Sequence, residues 1–164
     1  GKYDEALDKY EDSLRIYKDV YGDDHEGVAA SLSNIGSVYS SQGKYDEALE
    51  LLEQALQIQL KTLDEDDEDV AESHDRIGLV FRGQGRLDAA LEKHEKAFDS
   101  RRNKLGENHI VVALSRYHMA LVHEQKGNLA EAKSLFLRCS EVYERVYGSQ
   151  HSKTLEAKDG AARC

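Results

Sequence analysis

The chain has 164 residues, 40% of them apolar, with 32 acidic against 22 basic side chains and a formal net charge of −10. That length suffices for one core of ordinary size, and the acidity disfavours nucleic acid and anionic membrane while favouring neutral or basic partners. No apolar run approaches the roughly 20 residues of a membrane span, no secretory signal or glycosylation sequon occurs, and two cysteines make no disulfide framework, so a cytoplasmic protein is expected.

The opening heptapeptide GKYDEAL returns at 43, and its register continues as GRLDAAL at 85 and GNLAEAK at 127. A second block keeps the same 42-residue interval: VYGDDHEGVAAS at 20, TLDEDDEDVAES at 62, KLGENHIVVALS at 104 and VYGSQHSKTLEA at 146. Self-similarity at a fixed period of this size marks a solenoid. The chain reads as a single array over 1–164, with units 1–42, 43–84, 85–126 and 127–164 and no internal linker.

In chain order, residues 2–20 form the second helix of a pair, so the chain is expected to be part of a longer one, cut out of phase with its repeats. The next loop carries His25, and the same loop position holds His109 and His151. Stacked repeats place these histidines in a row rather than around one ion, and their expected role is to order the loop and cap the following helix. Leu32, Ile35 and Tyr39 then recur at three and four, one face of a helix, and Gly43 ends it. Gly36 sits inside that helix, in register with Gly78, Ala120 and Ala162. Glycine there costs roughly 1 kcal/mol against alanine, so a small residue kept in every copy implies close helix approach. The second helix puts Ala48, Leu52 and Ala55 on one stripe, with Tyr45, Leu49 and Leu56 beside it. Neither helix buries its stripe alone; stacked neighbours do so.

The run DEDDED, Asp64 to Asp69, replaces the histidine loop in the second repeat and reads as a solvated, flexible segment able to attract a basic peptide or hold calcium weakly. It lacks the glycine and ligand spacing of an EF-hand loop. His94 takes a place held by Leu52 and Phe136 in neighbouring repeats, as a partly buried structural histidine. His118 and His123, five apart, lie far around their helix from each other, and HEQKG at 123 lacks the second histidine of a zinc helix. Cys139 replaces Ala55 and Ala97 as a small core residue. No phosphate-cradling or nucleophile-elbow motif occurs. No enzyme activity, cofactor or metal site is expected. Residues Ser152 to Arg163 read as a first helix weakened by Gly160, and the unmatched terminal helices suggest weak head-to-tail self-association.

The pattern Gly36, Tyr39, Gly43, Tyr45, Ala48, Leu52, Ala55 resembles the tetratricopeptide repeat, and it recurs as Gly78, Phe81, Gly85, Leu87, Ala90, His94, Ala97 and as Ala120, His123, Gly127, Leu129, Ala132, Phe136, Cys139. The 42-residue period and loops such as LGENH at 105 are similar to the kinesin light chain subclass. The resemblance implies an all-α fold, an α-α superhelix of antiparallel helix pairs, in which first helices line a concave face. Opposite their packed side, those helices carry Ser33, Ser37 and Ser40, then Asp75, Leu79 and Arg82, then Tyr117, Leu121 and Glu124. Leu79, Leu121 and Tyr117 with Leu114 are expected to form an apolar pocket beside Glu72, Asp75, Arg76 and Arg82, and Asn34 and His118 complete the candidate groove. Replacing Tyr117 by Ala and Leu121 by Glu is expected to remove binding and leave helicity intact. The function implied is a protein–protein interaction scaffold holding a peptide or protein segment in the groove, as adaptor or recognition module of a larger protein. A ligand- or peptide-sensing module of a nucleotide-binding-domain protein and a structural spacer are the alternatives.

Overall fold

Glycines and side-chain caps set most of the helix boundaries among the described residues. The computed structural model describes residues 2–164; Gly1, the first residue of the opening heptapeptide, lies outside the described residues. Among these there are eight helices and no strand: α1 (Lys2–Tyr21), α2 (Glu26–Ser41), α3 (Tyr45–Gln59), α4 (Glu68–Gly83), α5 (Leu87–Leu105), α6 (Ile110–Gln125), α7 (Leu129–Tyr147) and α8 (Ser152–Arg163). No described helix is long and apolar enough to cross a membrane.

The short turns after α2 and α6 pivot on Gly43 and Gly127, at φ +77° and +80°. Lys44 N–H donates back to the Tyr39 carbonyl at 2.9 Å, and Asn128 N–H to that of His123 at 2.9 Å, satisfying carbonyls the helix end leaves open. The turn after α4 pivots likewise on Gly85, and the connections leading into α2, α4, α6 and α8 end on side-chain caps. Nδ1 of His25 accepts from Gly27 N–H at 3.0 Å, that of His109 from Val111 N–H at 3.4 Å, and that of His151 from Lys153 N–H at 3.3 Å. Tyr21 stacks on His25 and Tyr147 on His151, each with ring centroids 4.4 Å apart.

The second loop reaches the same end by other chemistry. Asp67 holds the register place of the histidines, and its Oδ1 accepts from Asp69 N–H at 3.0 Å. The acidic run, expected as loop throughout, is therefore partly helix: Glu68 and Asp69 form the first turn of α4, where carboxylates meet the positive end of the helix dipole. A second substitution shortens the helix before it. Gly22, Gly106 and Gly148 adopt φ of +86°, +81° and +91° immediately after α1, α5 and α7. Asp64 stands in their place, and a side chain makes that left-handed conformation costly. Accordingly α3 stops at Gln59 after 15 residues, whereas α5 and α7 each run for 19. Lys61 and Thr62 N–H groups close tight turns onto the Ile58 and Gln59 carbonyls at 3.2 and 3.0 Å.

The helices fall into two compact units, Gly1–Gly85 and Arg86–Cys164. In the first, α2 packs against α1, α3 and α4, and α3 against α4. Val28, Ala29, Leu32 and Ala55 form a buried centre there, with Leu14, Tyr17, Leu51 and Ile58 around it. In the second, α6 packs against α5 and α7, and α7 against α8, over the clusters Ala113–Cys139–Val142–Tyr143–Ala157 and Ala120–Ala132–Phe136–Ala161. Leu52 and Phe136 are almost wholly buried, each stabilising by roughly 1.5–3 kcal/mol. They are accommodated by glycine. A Cβ on Gly36 would lie 2.9 Å from Leu52 Cγ and 3.1 Å from the Ala48 carbonyl oxygen. Gly160, expected only to weaken α8, is where the Phe136 ring rests, 2.8 Å from where a Cβ would stand.

Each unit carries a polar contact at the same register position. Ser73 Oγ donates to Gln59 Oε1 at 2.6 Å between α4 and α3, and Arg101 Nη1 donates to Ser115 Oγ at 2.8 Å between α5 and α6. Arg101 and Ser115 are both buried. Cys139 is fully buried, donates to the Ala113 carbonyl, and has its thiol pushed up to about 12 by burial.

Three outcomes follow from these contacts. Asp67→Ala and His109→Ala should each lower stability by about 1 kcal/mol, and Asp67→His by less, as read from urea melts. Gly160→Ala should destabilise in the same assay, because overpacking against Phe136, costing about 1–3 kcal/mol, outweighs a helix gain of about 1 kcal/mol. A thiol reagent at mildly alkaline pH should label Cys164 in the native protein and reach Cys139 only on unfolding; native-state labelling of Cys139 would refute its burial.

Candidate functional site

In the first unit the predicted groove residues converge on Arg76 of α4. Its Nε and Nη2 donate to Glu72 Oε1 at 3.1 and 2.6 Å, one turn back along the helix. Its Nη1 reaches across to α2, donating to the Ser33 carbonyl at 3.1 Å and to Ser37 Oγ at 2.9 Å. Ser37 in turn donates to the Ser33 carbonyl at 2.8 Å. Ser33, Asn34, Glu72 and Arg76 line a pocket of about 140 Å³. Glu26 and Ala30 of α2 and Asp69 and Ser73 of α4 extend its wall, and Ile58, Gln59, Thr62 and Leu63 close it. Those last four are the end of α3 and the turn that follows, so the pocket opens where α3 stops a turn early.

Two residues expected to face water do not. Ser33 is 7% exposed and Asp75 is 4% exposed. A helix in a stack is covered on more than one side, and α4 accordingly buries Val70, Ala71, Ser73, Asp75, Ile77, Gly78, Val80 and Phe81, an arc much wider than one stripe. Ser40, Leu79 and Arg82 are half-buried and line neither pocket described here.

In the second unit Leu114, Tyr117 and His118 of α6 line a smaller pocket of about 100 Å³, with Tyr143 of α7 and Lys153 and Glu156 of α8. Tyr117 meets Phe136 edge-on, with centroids 5.5 Å apart and planes at 66°. Leu121 and Tyr117 both pack against the Phe136 cluster. The expected double replacement at these two positions therefore strikes the core as well as the surface, and retained helicity is no longer its expected outcome. His118 also touches His94, at 5.1 Å between ring centroids. His94 is fully buried rather than partly so. Glu124 is taken up structurally: both its oxygens accept from Arg163 of α8, at 2.8 and 3.2 Å.

Sequence reasoning missed Glu26, Gln59, Asp69 and Ser73 in the first pocket and Tyr143, Lys153 and Glu156 in the second. The available signal was the break in the repeat at Asp64, which predicts an altered helix end and hence an altered wall. The charges differ as well. Glu26, Asp69 and Glu72 stand against one cation in the first pocket, whereas Lys153 and Glu156 balance in the second.

Solved structures of other proteins share this fold. The kinesin light chain nearly identical TPR-like repeats of Podosopora anserina superpose with a TM-score of 0.80 at 24% identity, over 99% of this chain and 77% of that one. BtubC (BKLC) from P. vanneervenii gives 0.74 at 16% identity, over 96% of this chain and 63% of that one. The type III secretion translocator chaperone SycD of Yersinia enterocolitica gives 0.66 at 16% identity, over 93% and 98%. No curated protein matches the sequence. The tetratricopeptide repeat family matches in four overlapping segments, 1–61, 32–103, 69–132 and 111–164. With that coverage, an all-α fold of stacked helix pairs and structural neighbours of kinesin light chain type, the chain belongs to the tetratricopeptide repeat family.

Proposed function

We propose that this chain is a protein-interaction scaffold that holds a peptide or extended protein segment against its first helices, as an adaptor or as the recognition module of a larger cytoplasmic protein. Repeat arrays of this family bind protein partners, which supports the class. The observation that carries the finer reading is the placement of the two pockets. Each lies on first helices, one on α2 and α4 and one on α6 and α8, at positions whose residues differ from repeat to repeat while the packing positions keep their character. Varied side chains on a constant frame suit recognition rather than chemistry, and no catalytic role is assigned. The net charge of −10 favours a neutral or basic segment.

Self-association is the weaker contact in this reading. Ile16, Val20 and Tyr21 leave α1 with exposed apolar surface, but α8 offers only Leu155 as a large exposed apolar side chain. Head-to-tail contacts would accordingly form only at high concentration.

Peptides selected by display against the full chain, followed by backbone shift mapping, test the proposal. Bound peptides should perturb α2, α4, α6 and α8. Leu114→Ser should weaken those reaching the second pocket by about tenfold, the worth of a buried leucine contact, while the urea melt stays cooperative. Affinity should fall as ionic strength rises to physiological values, where the Debye length is about 8 Å. Peptides that map to second helices alone, or that bind more tightly with salt, would overturn it.

A further inference from the structure

We propose that the pocket between α2, the end of α3 and α4 receives one lysine side chain of the bound segment, with its ammonium held among Glu26, Asp69 and Glu72. This rests on the reading of the chain as a segment-binding scaffold and names the chemistry of one anchor point.

The pocket lies beside the irregular second repeat. Asp64 stands in place of a left-handed glycine, α3 ends at Gln59, and Thr62 and Leu63 of the turn that follows line the wall. At about 140 Å³ the space accepts one long side chain and no folded element. Ala30, Ile58 and Leu63 provide apolar wall for methylenes, and the carboxylates supply acceptors for a charged tip, the division of surface that lysine uses.

Charge fixes the sign of the guest. Three carboxylates line the site against one guanidinium. That guanidinium is fully engaged, by Glu72 on one edge and by the Ser33 carbonyl and Ser37 Oγ on the other. Among the described residues Glu26 and Asp69 have no ion-pair partner, so their acceptors remain to be used. Ser33 adds a second, independent observation. The residue is 93% buried (7% exposed) and lines the pocket, yet its Oγ has no hydrogen-bond partner among the described residues. A buried hydroxyl without a partner is costly, and rotation of the Ser33 side chain toward the pocket it lines would let an ammonium there relieve that cost. Lysine suits the space better than arginine, because a compact ammonium meets carboxylates carried on two different helices, whereas a planar fork serves one.

The test selects displayed random peptides on the full chain and on the Glu26→Gln/Asp69→Asn variant, which removes two charges without touching Arg76. Wild-type peptides that perturb the amide signals of Ala30 and Ser73 should share one lysine. Replacing that lysine by norleucine, or using the variant, should lower affinity by about tenfold, the worth of a charge-assisted bond. Ser33→Ala should lower affinity about threefold without lowering stability, whereas a purely structural serine would leave affinity unchanged. Groove-binding peptides without a shared lysine, or lysine peptides indifferent to the variant, overturn this inference and leave the scaffold reading intact. A preference for arginine over lysine also overturns it. Failure to select any groove-binding peptide overturns both.

Discussion

The separation between neighbouring helices is fixed by side chains of one carbon or none. Ala48, Ala55, Ala90, Ala97, Ala120 and Ala132 have no exposed surface, and Gly36 has a leucine and a carbonyl where its own side chain would begin. Large residues such as Leu52 and Phe136 fill the spaces thus defined. An apolar stripe on a single amphipathic helix has nothing to bury itself against, and a two-helix pair covers it only in part. The rest must come from the adjoining helix, and that helix helps only if it comes near enough. Enlarging one of the small positions pushes a neighbour away and exposes stripe on both sides. Cys139 occupies one such position and gains no chemistry from it, since burial disfavours the thiolate.

Within that frame the repeats tolerate different solutions to the same local demand. An acceptor at the start of a first helix is a histidine nitrogen three times and a carboxylate oxygen once. The bond between a second helix and the next first helix is made by glutamine in one copy and arginine in another. The exchange at the helix stop is not neutral in the same way. Losing the left-handed glycine at 64 changes the length of α3, and therefore the surface beside it. A change at one backbone position thus alters the wall of the pocket beside α3.

The period, the paired helices and their stops were legible because each depends on residues a few positions apart in sequence. The histidine caps were legible for the same reason. Asp67 is not, because the repeat pattern marks an imidazole at that place while the helix start asks only for an acceptor. The burial of Ser33 and Asp75 was hidden by a rule for helices packed on one side, applied to helices flanked on more than one. Tyr117 and Leu121 were seen as apolar side chains on an open face, but their contact with Phe136 lies between segments the sequence does not bring together. The pockets depend on how far α3 extends and on which side chains from three helices meet, and neither is written at a fixed spacing.

The connection between α3 and α4 spans residues 60–67, whereas those preceding α2, α6 and α8 span 22–25, 106–109 and 148–151. Its mostly exposed side chains and its tight turns make little use of long-range packing. Doubling the length of a flexible connection costs only about 0.6 kcal/mol in closure entropy. This joint is therefore where the array can absorb added chain with least loss: a tag, a fluorophore or an inserted sequence placed between Asp64 and Asp66 gives up the turn in which Asp67 N–H donates to the Asp64 carbonyl at 2.9 Å, and leaves the side-chain cap of Asp67 and the packing of both flanking helices in place.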